Sequence, residues 1–293
     1  MTTPSLQLKE YDNPQAFYDE LSEGLHYLAD NLAKNHTLLA MGRFAIKRPE
    51  ICLYKVALFD TSFPTTKLVA AAIVFTKGSE LEIIPSPLAA VSHAEQIYAG
   101  LESQNMKPTK YFGGLETAKI YEKAFNGKIT PTCDMGLYRC RKVIRPSQIA
   151  PQTVLRLALE KDIDTLIKWS RGYCIEALHF QPTPTDDAIK ANLIRETEQK
   201  RKYVLEVNGQ IVSMANSQRD VGSSISIGGV FTPKNERSKG YGSTIVALLT
   251  EGLLSDHQEV NLFTDLSNST SNKIYLNVGY EHVCNWVDGV WKY

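Results

Sequence analysis

Apolar residues in the second half of the chain alternate with the period of a strand in some segments and with that of a helix in others. Asn208–Gly209 lies between two alternating runs and predicts the turn of a β-hairpin. The segments follow in the order strand 153–159, acid-opened helix 160–173, turn 182–187 and helix to about 200, hairpin 201–218, strand 223–232, helix 242–254, strand 259–265, helix 269–278 and closing strands 280–293.

The first half repeats this order. It runs strand 6–11, helix 13–25, hairpin strands 52–60 and 67–75, helix 86–103 and a later helical segment, 118–128. Within that last segment, Lys119-Ile120-Tyr121 aligns with Lys273-Ile274-Tyr275 of the second half. The shared triplet and the parallel order of elements together predict an internal duplication.

A proline-bearing segment separates the two halves. "VIRPSQIAPQTV", residues 143–154, has the composition of a linker and joins segments of similar length. We therefore predict two domains, 1–148 and 149–293.

Composition limits the partners. The formal net charge is +0, so no overall field favours nucleic acid or an anionic membrane. The longest apolar run, 68–75, is shorter than a membrane span requires, and the N-terminus has no signal-peptide pattern. Five cysteines without a C-x-x-C pair, with scattered histidines, favour reduced thiols and no metal site. We expect a cytoplasmic protein that binds neither nucleic acid nor membrane.

The stretch "IGGVFTPKNERSKGYGS" carries the most distinctive pattern. Gly228 and Gly229 inside a strand predict a bulge that leaves backbone groups of 230–232 for an extended ligand. The glycine-bearing basic turn 237–242 then enters a helix, whose N-terminus favours an anion such as phosphate. A solvated turn is the alternative for this motif taken alone.

The downstream spacing adds a second motif. Asn268 stands seven residues before Tyr275, eleven before Gly279 and twelve before Tyr280. With the R-x-x-G-x-G turn, this resembles the acetyl-coenzyme A signature of the GNAT superfamily of N-acetyltransferases. The resemblance implies an α+β fold with a twisted, mostly antiparallel sheet flanked by helices in each half, and a catalytic domain at 149–293.

The resemblance also implies site residues, with acetyl-coenzyme A as co-substrate and no metal. Tyr275 would protonate the leaving thiolate as general acid. Coenzyme-binding residues would be Val230, Phe231 and Thr232 for the pantetheine arm, Arg237, Ser238, Lys239, Gly240, Tyr241, Gly242 and Ser243 around the pyrophosphate, and Asn268 and Asn272 beside the pantetheine. For Tyr275, simple packing of its helix is the alternative.

The implied reaction is direct attack of a primary amine, either a small molecule or an exposed amino group, on the acetyl carbonyl. Glu206 and Glu176 are weak candidates for a general base, and a water relay or an amine that arrives neutral would need neither. Cys174 is expected to be a small packed residue. Trp286 and Trp291 are expected to pack or to line the acceptor side, and residues 200–202, "KRK", to form a solvated helix end.

The first half lacks the motif. Where the turn would fall it has "EIIPSPLAAVSHAEQ", without a glycine pair, and Pro85 and Pro87 remove backbone donors. We expect a degenerate GNAT-like copy that packs on the catalytic half, where it could also form a wall of the acceptor site.

Two further functions fit the sequence. One is an acyltransferase of the glycine N-acyltransferase type that uses larger acyl groups, and the other is a coenzyme A-binding sensor without turnover. The acceptor and the oligomeric state stay open, and a homodimer is compatible with the chain.

Overall fold

The chain groups into two compact units in a computed structural model that describes residues 5–24, 32–62, 66–77, 79–87, 90–178 and 182–293. Unit 1 comprises the residues up to Leu137 together with Val283–Tyr293, and unit 2 comprises Tyr138–His282. The predicted domains, 1–148 and 149–293, assign 138–148 and 283–293 to the opposite halves. The end of the chain groups with unit 1 because its last strand pairs there.

Unit 1 is a mixed sheet with helices. Its strands are β1 (Leu6–Glu10), β2 (Cys52–Asp60), β3 (Lys67–Lys77), β4 (Glu80–Pro85), β5 (Lys110–Gly114), most of β6 (Lys128–Cys140) and, from Val283, β12 (Glu281–Lys292). Its helices are α1 (Pro14–Gly24), α2 (Leu32–Lys47), α3 (Val91–Ser103) and α4 (Leu115–Ala124). The predicted helix 13–25 runs into residue 25, which lies outside the described residues, as do residues 88 and 89 of the predicted helix 86–103.

The strand order in unit 1 is β1-β2-β3-β4-β5-β12-β6. Neighbours are antiparallel from β1 to β4, β4 and β5 are parallel, and β5 and β12 are antiparallel. The predicted closing strands are therefore one strand, which pairs with β5 over Trp286–Val290. Trp286 and Trp291 are 2% and 4% exposed, and Trp291 packs in the core of unit 1.

Unit 2 repeats the arrangement. Its strands are β7 (Thr153–Leu157), β8 (Lys202–Val207), β9 (Gln210–Gln218), β10 (Ser224–Phe231) and β11 (Glu259–Asp265), in the order β11-β10-β9-β8-β7. Its helices are α5 (Ile163–Glu176), α6 (Asp186–Glu198), α7 (Tyr241–Leu253) and α8 (Ser269–Val278). Only β10 and β11 are parallel among these pairs.

The local signals act as predicted. Asn208 and Gly209 both have positive φ, +49° and +80°, which gives the twisted two-residue turn between β8 and β9. The predicted inner face of α7 is buried, with Ile245, Val246 and Leu249 at its centre. From β1 to β6 and from β7 to β12 the strands and helices follow in the same order, so the predicted duplication appears in the element order.

Candidate active site

A gap opens between the two parallel strands of unit 2. Residues 224–226 of β10 pair with 259–261 of β11, after which the registered pairing ends. Both strands continue, β10 to Phe231 and β11 to Asp265. Beyond residues 226 and 261 the two strands are therefore no longer paired with each other.

The predicted bulge lies on β10 beside this gap. Gly228 pairs with Asn216 and Phe231 pairs with Met214, so β10 has one extra residue over this stretch. Gly229 within it has φ of +58°, and a Cβ atom there would lie 3.2 Å from the Asn216 Cγ. Backbone conformation and close packing both favour glycine at this position.

The three predicted pantetheine residues follow the bulge. Val230, Phe231 and Thr232 are half-buried. The Ser213 hydroxyl donates to the Phe231 carbonyl at 3.0 Å and lies 3.0 Å from the Thr232 Oγ1. The strand end is therefore fixed to β9 after it leaves regular pairing.

The predicted pyrophosphate turn is a tight loop into α7. A single 3₁₀ turn, Lys234–Glu236, precedes residues 237–240, which are exposed, while 241–243 are half-buried. Ser238 and Gly240 have φ of +62° and +81°. Gly240 is the N-cap of α7 and no side chain caps the helix, so its first N–H groups stay available to an anion.

The basic side chains of the loop are held by carboxylates. Arg237 donates Nε to the Thr232 carbonyl at 2.9 Å and Nη2 to Glu176 at 2.8 Å. Lys239 Nζ lies 3.0 Å from Glu236. Arg237 thus bridges the loop to the end of α5, and the anion-binding capacity of the turn rests more on backbone than on free side-chain charge.

The two predicted asparagines organise the start of α8. Asn268 is its N-cap, and its Oδ1 accepts from the Ser271 N–H at 3.0 Å. Asn272 donates Nδ2 to the carbonyls of Asp265 and Leu266 at 3.2 and 3.1 Å. Within the described ranges its buried Oδ1 has no hydrogen-bond partner. The Asn268 side chain thus caps α8, and the Asn272 side chain fixes the end of β11 against α8.

Tyr275 lies on α8 and is 8% exposed. Burial raises the pKa of its hydroxyl, and the neighbouring Tyr173 raises it further. A phenol in this environment stays protonated, as a proton donor must. Tyr275 also packs in the buried core of unit 2, with its ring centroid 6.0 Å from that of Tyr280.

Tyr173, at the end of α5, is a residue that the sequence reading missed. Burial raises its pKa, and a hydrogen bond from the backbone N–H of Gly229 opposes that effect. The hydroxyl of Tyr173 is thus directed at the bulge. The signal in the sequence is weak, because a half-buried tyrosine ends many amphipathic helices.

Neither proposed carboxylate base is free. Glu206 accepts from Arg156 Nε at 2.7 Å, and Arg156 also binds Asp162 at 2.6 Å. Glu206 lies on β8 where it faces β7, the outer strand in the order of unit 2. Glu176 is bound by Arg237. Arginine guanidinium groups bind both carboxylates, at 2.7 and 2.8 Å, and within the described residues neither carboxylate lines a cavity at the bulge.

A cavity of about 280 Å³ adjoins the bulge. Its wall is mostly apolar, with a polar strip on one side. It is lined by Ser170, Tyr173, Cys174, Leu178, Pro184, Ala188, Ile189, Asn192, Glu196, Lys202, Met214, Asn216 and Gly229. Burial raises the pKa of the Cys174 thiol, which makes it a poor nucleophile, in keeping with the expected packing role.

The polar strip is a hydrogen-bonded network. Glu196 Oε1 accepts from the side-chain amides of Asn192 at 3.0 Å and Asn216 at 2.8 Å. Lys202 Nζ donates to the Asn216 Oδ1 at 2.7 Å and lies 3.7 Å from the Glu196 Oε2. Since Asn216 packs on Gly229, the strip is continuous with the bulge.

Lys202 corrects a prediction. Residues 200–202 were expected to be a solvated helix end, but Lys202 begins β8 and is only 2% exposed. Burial lowers the pKa of its ammonium group to about 8, against the opposing effect of Glu196. A run of three basic residues gives no sign that its last member points inward.

The equivalent strand of unit 1 has no bulge. β4 pairs with β3 without a register shift, from Glu80 opposite Lys77 to Pro85 opposite Ala72. After Pro85, the Ser86 N–H continues the pairing with the Ala71 carbonyl at 2.8 Å. Pro87 follows. Residues 88 and 89, which belong to the segment predicted to lack the phosphate-binding motif, lie outside the described residues.

The tyrosine of unit 1 is enclosed by aromatic rings. Tyr121 is 0% exposed and packs against Tyr111, Phe125 and Trp291, with centroid distances of 6.1, 5.1 and 6.4 Å. Its hydroxyl is buried without a hydrogen-bond partner among the described residues. The same K-I-Y triplet therefore ends in a core residue here.

Other expectations concern metals and membranes. Among the residues that the structure describes, no three His, Cys, Asp or Glu side chains are grouped as metal ligands. The cysteines Cys52, Cys133, Cys140, Cys174 and Cys284 are free thiols. In the described ranges no helix combines the length and apolarity needed to cross a membrane.

The sequence matches one family model in part. Residues 213–287, about a quarter of the chain, match the FR47-like protein family. This range contains the bulge, the glycine-bearing turn and the Asn268-to-Tyr280 segment. A comparison with curated proteins gave no match.

Solved structures share the fold over nearly the whole chain. A GNAT-family acetyltransferase from Colwellia psychrerythraea has 11% identity and a TM-score of 0.58, covering 98% of this chain and 100% of its own. A GCN5-related N-acetyltransferase from Sphaerobacter thermophilus has 12% identity and a TM-score of 0.59, and the match covers 99% of this chain and 96% of that one. A tandem GNAT protein from the clavulanic acid biosynthesis pathway has 9% identity and a TM-score of 0.59, and the match covers 98% of each chain. The predicted tandem GNAT-like α+β fold is confirmed.

Proposed function

We propose, from a chain with the tandem GNAT fold, that unit 2 is an acetyl-coenzyme A-dependent N-acetyltransferase acting on a primary amine. One observation carries the proposal. A bulged strand diverges from its parallel neighbour and leads into a helix whose N-terminus has no side-chain cap, with Tyr275 nearby on α8.

The residues fit the coenzyme. Open space surrounds Gly240, where an added Cβ would meet nothing within 4 Å, so a phosphate can approach the backbone. The N–H groups from Arg237 through Ser243 would bind the pyrophosphate. Val230, Phe231 and Thr232 would bind the pantetheine arm along the open side of β10. Asn268 and Asn272 would act chiefly by fixing the opposite strand end.

The reaction would be direct attack in a ternary complex. The neutral amine forms a bond to the acetyl carbonyl carbon while the bond from that carbon to sulfur breaks. Backbone N–H groups at the bulge would stabilise the oxyanion. Tyr275 would give its proton to the departing thiolate, which leaves as coenzyme A. The attacking nitrogen would lose one proton to solvent as the neutral amide forms, and solvent would return a proton to Tyr275. Holding both substrates at one bulge supplies much of the rate increase through proximity.

Thiol release tests the proposal. Purified protein is given acetyl-, propionyl- or benzoyl-coenzyme A with a panel of primary amines, and free coenzyme A and N-acylated product are both measured. We expect amine-dependent release that is fastest with acetyl-coenzyme A. A preference for benzoyl-coenzyme A would favour the glycine N-acyltransferase type, and coenzyme binding without any product would favour a sensor.

A further inference from the structure

The cavity beside the bulge has a chemical character that narrows the acceptor. Most of its wall is apolar, from the side chains of Leu178, Pro184, Ala188, Ile189 and Met214. The polar strip runs along one side and reaches Gly229 through Asn216. A ligand that fills the cavity and reaches the bulge therefore needs an apolar body and one polar end.

The volume of the cavity favours a small ligand. Pockets for drug-sized ligands measure roughly 300–1,000 Å³. At about 280 Å³ the cavity suits a compact molecule with one ring or a short branched chain.

The charge of the polar strip favours an amine. The Glu196 side chain is 12% exposed and that of Lys202 only 3%, so the carboxylate is the charged group more open to a ligand. Both amide donors bind Oε1, and the nearest charged group to Oε2 is Lys202 Nζ at 3.7 Å. Oε2 is thus the better placed oxygen to accept from an ammonium group. A ligand carboxylate would meet the same oxygen and be repelled.

We propose that this cavity binds the acceptor as a compact, apolar-bodied primary amine without a carboxylate, and that Glu196 binds the amine end and takes its proton. The inference rests on the proposed acetyltransferase function. The ammonium proton passes to Oε2 of Glu196, which leaves a neutral amine beside the bulge and a carboxylic acid in the strip. The lone pair of the amine is then free to attack the acetyl carbon.

Lys202 would act as a positioning residue. Its bond to the Asn216 Oδ1 orients that amide so that its Nδ2 faces Glu196. The Asn192 and Asn216 amides hold Glu196 toward the cavity. None of these groups was identified from the sequence, because Asn192, Glu196, Lys202 and Asn216 come from α6, β8 and β9.

The test compares three ligands of one shape. Phenethylamine, phenylalanine and 3-phenylpropanoate are titrated into the full chain by calorimetry, with saturating coenzyme A present. We expect phenethylamine to bind at least tenfold tighter than either carboxylate. Equal or tighter binding of phenylalanine or 3-phenylpropanoate would overturn the acceptor class.

Glu196→Gln tests the residue. The substitution keeps the shape and an amide oxygen for Asn192 and Asn216 but removes the charge. We expect at least a tenfold loss of phenethylamine affinity and a kcat/KM that falls at least tenfold. Glu198→Gln, exposed on the same helix, is the matched control and should change neither. Unchanged amine affinity and turnover in Glu196→Gln would overturn the role of Glu196.

Failure of the two proposals can be told apart. If wild-type protein does not bind coenzyme A, the acetyltransferase proposal fails first. If coenzyme A binds and amines are acetylated, but Glu196→Gln behaves as wild type, only the present inference fails. Lys202→Met gives a second variant, in which coenzyme binding is expected to persist while phenethylamine affinity falls.

Discussion

Units 1 and 2 have the same order of elements but differ at one strand and at the residue before one helix. In unit 2 β10 has a bulge with Gly229 at positive φ, and α7 follows Gly240, whose φ is +81°. In unit 1 α3 follows Ala90 in extended conformation, and neither helix has a side-chain cap. In unit 1 β4 pairs regularly to Pro85. Under the proposed function, the shared framework alone would not make a coenzyme site, since the backbone must also leave its regular hydrogen bonds.

The paired tyrosines show the same contrast. Tyr275 lies near Tyr173, whose hydroxyl meets the bulge, whereas Tyr121 is enclosed by Tyr111, Phe125 and Trp291. Under the proposed function, Tyr275 would serve a reaction while its counterpart Tyr121 packs in the core of unit 1.

The largest expected effect separates these tyrosines. Tyr275→Phe should lower kcat by roughly 10² or more, because the thiolate then leaves without its proton donor. Coenzyme affinity should stay within about twofold. Steady-state kinetics and calorimetry measure the two quantities. Turnover equal to wild type would remove the role assigned to Tyr275.

The second prediction concerns the uncapped helix. Gly240→Asp places a carboxylate where the pyrophosphate would bind, so coenzyme A affinity should fall about 100-fold, or roughly 2.7 kcal/mol. Aspartate is strained at the positive φ of Gly240, so the free energy of unfolding is measured alongside the affinity. Gly222→Asp is the matched control, since Gly222 also has positive φ and open surroundings. Equal affinities for the two variants would place the phosphates elsewhere.

The third prediction concerns Lys202, the buried lysine that begins β8 of unit 2. The equivalent strand of unit 1, β2, begins with Cys52. Burial lowers the pKa of Lys202 from 10.5 to about 8, so the folded state disfavours its charged form. This unfavourable contribution is fully present below pH 8 and is relieved as the pH rises from about 8 to 10.5.

Urea unfolding at pH 7 and pH 10 measures that linkage. Wild type should gain about 1–3 kcal/mol of unfolding free energy relative to Lys202→Met between these two pH values. Lys200→Met, an exposed change two residues away, should follow wild type. A constant difference between wild type and Lys202→Met would contradict a lowered pKa.

The smallest effect is expected in unit 1. Tyr121→Phe removes a buried hydroxyl that has no partner among the described residues, so the free energy of unfolding should change by less than about 1 kcal/mol. Turnover should match wild type. A loss of turnover like that of Tyr275→Phe would show that Tyr121 takes part in the reaction and that the two units are not functionally distinct.

Local patterns predicted the fold better than the site. Asn208–Gly209 and Gly228–Gly229 act through their own backbone conformations, so the hairpin and the bulge could be derived from neighbouring residues. Tyr173, Glu196 and Lys202 could not, because their roles depend on how α5, α6 and β8 pack. The pairing of β12 with β5 was missed for the same reason, since no local sequence pattern in the last strand indicates which strand it pairs with.

The proposed function requires one coenzyme site in a chain with two similar units. Calorimetric titration of the full chain with coenzyme A measures the number of sites directly. We expect one site per chain, whose affinity falls in Gly240→Asp and not in Tyr121→Phe. Two sites per chain, or one site that survives Gly240→Asp unchanged, would contradict it.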